Sequence, residues 1–114
     1  MQLLNISKGI TLAQEVILAE KFWGRFKGLI GTSKLPENKA LLIKPCSSIH
    51  TWFMKYPIDV IFLDSDNQIV HILHAIAPYR FGPLVRSAKA VVELPARRCY
   101  QTGTKTGDLV EFYS

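Results

Sequence analysis

The strongest constraint on the fold is a succession of short apolar runs that are separated by glycine, proline, asparagine and aspartate. Short runs rich in β-branched and aromatic residues are typical of β-strands, whereas a helix needs a longer periodic segment. Gly9 and the stretch Asp64-Ser65-Asp66-Asn67 supply turn chemistry between neighbouring runs. The predicted extended segments are residues 3–6, 12–18, 40–43, 49–54, 58–63, 68–73, 88–94 and 109–113.

One segment, residues 20–30, has helical rather than alternating spacing. Phe22, Trp23 and Phe26 share one face of this helix, and Gly31 is placed to cap its C-terminus. A chain of 114 residues fits a single domain. We therefore expect an α+β, mostly β domain over residues 1–114. It would be a small barrel-like curved sheet of about seven strands with one main helix packed on it.

The charge distribution argues against a nucleic-acid partner. Fourteen Lys and Arg against nine Asp and Glu give a formal net charge of +5. These basic residues are scattered along the chain, whereas nucleic-acid binding needs a contiguous stripe that neutralises several phosphates. The sequence favours a small-molecule or protein partner and leaves the oligomeric state open.

The apolar runs and the cysteines indicate the compartment. No run approaches the roughly 18 consecutive apolar residues of a membrane span. The first residues lack the pattern of a secretory signal. Cys46 and Cys99 match no zinc or redox spacing. We expect a cytoplasmic protein with reduced thiols, no membrane association and no cofactor.

Four short stretches follow one another in a distinctive order: Gly28-Leu29-Ile30, Phe53-Met54-Lys55-Tyr56-Pro57-Ile58-Asp59, Val92-Glu93-Leu94-Pro95 and Gly107-Asp108. In order and spacing they resemble the uncharacterised bacterial and archaeal family called domain of unknown function 192. Ile30 stands where that family usually has Met. The resemblance covers about residues 12–112. It implies a β-rich fold with little helix, and it implies no established activity.

Asp59 is the most constrained candidate, because it interrupts the most apolar run of the chain. A buried carboxylate without partners is very unfavourable, so Asp59 must face an edge, pair with a cation or accept several backbone donors. The favoured interpretation is that it holds the turn around Pro57 through backbone N–H groups. The alternative is a functional carboxylate paired with Lys55 or Arg80.

Glu93 and His50 are open to two interpretations each. Glu93 shares its strand face with Val91 and is either exposed or directed into a barrel mouth. His50 shares a face with Trp52 and Met54, which favours a hydrogen-bonded core or rim residue over a base or ligand. Cys46 and His50 lack the second pair of ligands that a zinc site needs, so no metal site is expected.

Three hypotheses for function follow. The leading one is a non-enzymatic binding or accessory module that recognises a small polar ligand, such as a sugar, or a partner chain. Its ligand-binding residues would be His50, Trp52, Met54, Lys55, Asp59, Arg80 and Glu93. The second is a hydrolase-like enzyme in which Asp59 and Glu93 meet in one cavity with His50 as base. The third is a purely structural or oligomerisation domain whose motif specifies the fold.

Overall fold

The computed structural model describes residues 1–19, 35–45, 47–49 and 55–114. Within these ranges the chain is mostly β, with eight strands and one short helix, α1 (Arg98–Thr102). The strands are β1 (Gln2–Asn5), β2 (Ile10–Ala13), β3 (Glu15–Ala19), β4 (Lys39–Ile43), β5 (Ile58–Leu63), β6 (Ile69–Ile76), β7 (Ala90–Pro95) and β8 (Val110–Tyr113).

The described strands form two sheets, a three-stranded one in the order β2-β1-β8 and a five-stranded one in the order β3-β4-β7-β5-β6. Among the described strands, only β3 and β4 are parallel neighbours. In this described part of the chain, each sheet has two edge strands, so the predicted barrel-like sheet is not confirmed. The prediction of a mostly β fold with little helix is confirmed for the described residues.

The first hydrophobic core lies between the two sheets. It joins Leu3 of β1, Leu12 of β2 and Val110 of β8 to Leu42, Ile61 and Val92 of the larger sheet. The sheets also meet through the backbone, since the N–H of Val16 donates to Met1 O at 2.7 Å and Gln68 forms a bridge with Leu109. The result resembles a sandwich in which apolar side chains from both sheets interdigitate.

A second core covers the opposite face of the five-stranded sheet. It contains Ile58, Val60 and Phe62 of β5 together with Leu35 and Tyr56 from the connections. Along β5 the side chains alternate between the two cores, with Ile61 and Leu63 in the first core. All residues of β5 and β7 are therefore buried, and the prediction that residues 58–63 are covered on both faces is confirmed.

Several local predictions can be compared directly with the structure. The hairpin at Gly9 and the turn at 64–67 are confirmed, and Asp64 Oδ1 accepts the N–H groups of Asp66 and Gln68. The extended segment 12–18 is divided at Gln14 into β2 and β3. Helix α1 was not predicted. The predicted helix 20–30 and most of the predicted strand 49–54 lie outside the described residues; Ile49 is described and is not in a strand. No helix in the described part of the chain is long and apolar enough to cross a membrane.

Candidate functional site

Asp59 is completely buried in β5, and its carboxylate is occupied by backbone donors. Oδ1 accepts the N–H of Ala75 at 2.8 Å and that of Arg97 at 3.0 Å, and Oδ2 accepts the N–H of Cys99 at 2.8 Å. A buried carboxyl group whose oxygens accept several backbone N–H groups has its hydrogen-bonding capacity satisfied without a cation. The prediction of backbone donors is therefore confirmed, but these donors do not belong to the turn around Pro57.

The donors belong to segments that the regular ladders leave unpaired. Between Ile58 and Val60 the register of β5 against β6 shifts, because β6 has one extra residue there. Ala75 lies in this bulge of β6 with φ 45°. Arg97 has φ 75° and precedes α1, where the first helical N–H groups lack intrahelical acceptors. Asp59 thus holds the bulge and the start of α1 against the sheet.

Lys55 and Arg80 do not complete a site at Asp59. Both residues are exposed, and no ion pair joins either of them to this carboxylate. The alternative in which Asp59 is a functional carboxylate paired with Lys55 or Arg80 is wrong. Whether Lys55 and Arg80 contact a ligand stays a prediction.

Glu93 occupies the middle of the five-stranded sheet and is only 4% exposed. Its register partners are Leu41 on β4 and Val60 on β5, both apolar. Within the described ranges, no donor is hydrogen bonded to its carboxyl group. Burial raises the pKa of Glu93 from 4.5 to about 7. The interpretation of Glu93 as an exposed strand residue is wrong.

Asp59 and Glu93 point to opposite faces of the sheet. Asp59 alternates with Val60 and so lies on the side of Ile61, which belongs to the first core. Glu93 lies on the side of Val60 and Val91, which belong to the second core. The sheet separates the two carboxyl groups, so they do not share a cavity, and the paired-carboxylate hydrolase hypothesis is wrong.

Around Glu93, one row of side chains crosses the sheet on the face of the second core. The register places Leu41, Glu93, Val60 and Leu73 side by side on β4, β7, β5 and β6. With strands about 4.8 Å apart, Leu73 lies about 10 Å from Glu93 along this row. This face carries the side chain of Glu93, which is only 4% exposed and belongs to the motif strand Val92-Glu93-Leu94-Pro95.

The segment 77–85, here called the aromatic loop, borders this row. The N–H of Gly82 donates to Ile49 O at 2.7 Å, and a Cβ at this glycine would lie 3.2 Å from Leu73 Cδ1. The loop is thereby packed onto Leu73 and Ile49. Its large apolar side chains are nevertheless exposed: Tyr79 by 61%, Phe81 by 73% and Leu84 by 63%. Sequence reasoning did not identify these side chains as a candidate surface. The available signal was that Pro78 and Pro83 bracket Tyr79 and Phe81 in a segment without strand periodicity.

The remaining predicted site residues cannot be placed. His50, Trp52 and Met54, with Cys46, lie outside the described residues. Within the described ranges, no three His, Cys, Asp or Glu side chains converge in a way that could hold a metal ion.

A buried polar network that the sequence did not predict surrounds Asn5. Its amide donates to Thr104 Oγ1 and to Asp108 Oδ2, each at 3.0 Å, and Lys8 Nζ donates to Asp108 Oδ1. Burial would raise the pKa of Asp108, but the hydrogen bonds from Asn5, Lys105 N–H and Lys8 outweigh it and lower that pKa. Every group of this network has a partner, which indicates a structural role for the Gly107-Asp108 motif.

Comparisons with known proteins agree with this fold. The model of the family DUF192, "Uncharacterized ACR", matches residues 4–112. The UPF0127 protein PF1050 of Pyrococcus furiosus is 34% identical over 96% of this chain and 97% of its own length. A UPF0127 protein of Thermococcus sibiricus is 35% identical over 96% of this chain and 73% of its own length. A crystal structure of a protein of unknown function from Novosphingobium aromaticivorans has a TM-score of 0.72 and 25% identity, and the match covers 85% of this chain and 74% of that one.

The resemblance inferred from the four motif stretches is therefore confirmed over nearly the whole chain. The chain belongs to the DUF192 family of uncharacterised proteins.

Proposed function

We propose that this domain is a non-catalytic module that binds a small polar ligand on the face of the five-stranded sheet that carries Glu93. One observation carries the proposal: Glu93 is only 4% exposed, and none of the described residues donates a hydrogen bond to its carboxyl group. A buried carboxyl group without a partner destabilises a fold, and such groups concentrate at functional sites.

The surroundings of Glu93 fit a ligand that combines hydroxyl donors with an apolar face. Leu41, Val60 and Leu73 flank the carboxyl group along its row. Tyr79 and Phe81 are exposed on the aromatic loop beyond Leu73. Binding sites for small molecules commonly join apolar walls to a few polar groups that fix the orientation. A sugar has this chemistry, because its hydroxyl groups donate to a carboxylate while its C–H face stacks on an aromatic ring.

Asp59 has no part in the proposed site, since backbone donors occupy it on the other face of the sheet. With Asp59 excluded, Glu93 is the central anchor of the proposed site, and Arg80 and Lys55 lie at its rim. His50, Trp52 and Met54 stay in the proposal as expectations from the motif segment.

The test is a titration with hexoses and methyl hexosides, observed through the amide NMR shifts of Gly82 and Leu73. We expect saturable shifts in the wild type and their loss in Glu93→Gln. The matched control is Glu111→Gln, the same chemical change at an exposed position on β8, which should bind as the wild type does. Binding that is equal in all three proteins, or shifts confined to the first core, would exclude Glu93 as the anchor.

A second candidate function is contact with another protein chain through the aromatic loop. The exposure of Tyr79, Phe81 and Leu84 on one short loop favours it, because contiguous exposed apolar groups often mark interaction surfaces. A second copy of this chain is the first partner to test, by sedimentation velocity at increasing concentration. Association that Phe81→Ser abolishes would support this function, and a monomer at every concentration would exclude a second copy as the partner.

A further inference from the structure

A cleft of about 200 Å³ lies away from Glu93, where the two sheets meet the start of α1. Its lining comes from β2, from the loop before β4 and from α1: Thr11, Leu12, Ala13, Gln14, Glu37, Asn38 and Arg98. The loop wall is held in place, because Asn38 O accepts the N–H groups of Gln14 at 2.9 Å and of Glu15 at 3.0 Å. The α1 wall is held by Asp59, which binds the N–H groups of Arg97 and Cys99 on either side of Arg98.

Among the described residues that line the cleft, Arg98 is the one arginine. Its guanidinium group is incompletely paired. Its Nη2 donates to the carbonyl oxygen of Glu37 and, at 3.0 Å, to Glu37 Oε2. Its Nε is buried and has no hydrogen-bond partner. The Nε and Nη2 donors of arginine form one edge of a fork that matches the two oxygens of a carboxylate. Glu37 uses only half of that edge.

The ion pair between Arg98 and Glu37 is asymmetric in its exposure. The Arg98 side chain is 20% exposed, whereas the Glu37 side chain is 65% exposed. An ion pair with one solvated partner is weak, because water competes for the exposed carboxylate, so another anion can replace the Glu37 side chain. A buried N–H without an acceptor is unfavourable, and an incoming acceptor would remove that penalty.

We infer that this cleft is a binding site for a small carboxylate, which displaces the Glu37 side chain and pairs with both Nε and Nη2 of Arg98. Leu12 and Ala13, which are almost completely buried in the first core, close the bottom of the cleft, and Gln14 and Asn38 lie at its polar margin. The site is independent of the proposed function at Glu93, because none of its walls belongs to the face that carries Glu93. Glu37 then acts as an internal competitor that keeps the affinity low.

The test follows the side-chain Nε–H resonance of Arg98 by NMR during titration with sodium acetate. Sodium chloride at equal ionic strength is the reference. We expect a saturable shift with acetate and none with chloride. Glu37→Gln removes the competing charge and should tighten acetate binding about twofold to fivefold. Arg98→Lys keeps the charge but lacks the fork, and it should lose saturable binding.

The source of the carboxylate is distinguished by N-acetylalanine and its amide. Tighter binding of N-acetylalanine than of acetate, with none for the amide, indicates the C-terminus of a peptide chain; equal or weaker binding indicates a free small acid. The inference is overturned if chloride produces the same shift, if the acetate shift does not saturate, or if Glu37→Gln leaves the affinity unchanged. Should Arg98→Lys fail to fold, the comparison of Glu37→Gln with the wild type still decides, and sugar binding at Glu93 is unaffected by either result.

Discussion

Asp59 on β5 and Glu93 on β7 lie one register position apart on neighbouring strands, and their side chains leave the sheet on opposite faces. Asp59 pairs across the ladder with Leu94, whereas Glu93 pairs with Val60. Because side chains alternate along each strand, this offset of one residue separates the carboxyl groups by the thickness of the sheet. Asp59 meets three backbone donors on its side, and Glu93 meets apolar residues on the other. The two acids therefore have different roles and respond differently to substitution.

Replacement of Asp59 by Asn should destabilise the fold. The amide can still accept at Oδ1, but its NH2 group would face the N–H of Cys99, which Oδ2 accepts at 2.8 Å in the wild type. A buried donor that loses its acceptor is unfavourable by about 1–3 kcal/mol, and more when the acceptor was charged. We expect the free energy of unfolding to fall by about 2–3 kcal/mol in urea denaturation.

The matched control for this loss is Asp64→Asn. Asp64 Oδ1 also accepts two backbone N–H groups, but in an exposed turn where water can replace them. A loss below about 1 kcal/mol is expected there. Equal losses in the two variants would contradict the role of Asp59 as a buried support for the bulge and for α1.

Replacement of Ala75 by Gly should stabilise the protein. Ala75 has φ 45° in the bulge of β6, a left-handed conformation that is unfavourable for an L-residue by about 1–2 kcal/mol. Glycine adopts it freely but loses more backbone entropy on folding, which offsets about 0.5–1 kcal/mol. A net gain of about 0.5 kcal/mol is expected in urea denaturation. Ala88→Gly, at a buried position without a positive φ, provides the control and should lose stability instead.

The sequence alone predicts most of the described strands, because their short apolar runs are bounded by turn residues. It predicts residues 58–63 as a strand covered on both faces, and the structure has β5 there with all residues buried. Helix α1 escapes prediction, since five residues offer too little periodicity and its start is fixed by Asp59, which is distant in sequence. The division of the strands between two sheets depends on pairings between distant segments, which local patterns do not encode.

The candidate site is predicted less well than the fold. The motif identifies Asp59 and Glu93 as unusual acids, but only the register of β5 against β7 shows that they face apart. Arg98 and Glu37 are 61 residues apart in sequence and carry no local signal of their contact. The same holds for Asn5 and Asp108, whose hydrogen bond joins the end of β1 to the turn before β8.

The Asn5 network should control stability in acid. The lowered pKa of Asp108 means that its contribution to stability is present above its unfolded value of 3.8 and is lost as the pH falls through the folded value. Asn5→Ala removes the donor to Asp108 Oδ2 and the acceptor of Lys8 N–H. We expect a loss of about 2–4 kcal/mol at neutral pH and a rise in the pKa of Asp108. Urea denaturation and carboxyl carbon NMR titration measure the two effects. A variant with an unchanged Asp108 pKa would contradict the assignment of the lowering to Asn5.

Glu93 should produce the opposite dependence on pH at higher values. Its pKa is raised from 4.5 to about 7, so between these values the unfolded chain ionises while the folded chain retains the proton. The unfolded state then binds fewer protons than the native state, and the free energy of unfolding falls as the pH rises. Each unit of pKa difference corresponds to about 1.4 kcal/mol, which gives a loss of about 3 kcal/mol between pH 4.5 and pH 7.5.

Glu93→Gln removes this titration and isolates its contribution. We expect the variant to equal or slightly exceed the wild type near pH 4.5 and to be more stable by about 3 kcal/mol at pH 7.5. Urea denaturation at half-unit steps of pH, with Glu111→Gln as the exposed control, measures the difference. A constant offset between Glu93→Gln and the wild type across this range would contradict the raised pKa, because it would mean that Glu93 binds the same number of protons in the folded and unfolded states. A ligand donor that pairs with the ionised Glu93 should lower the pKa of Glu93. The ligand should therefore raise the free energy of unfolding of the wild type above pH 7, which connects this titration to the proposed binding site.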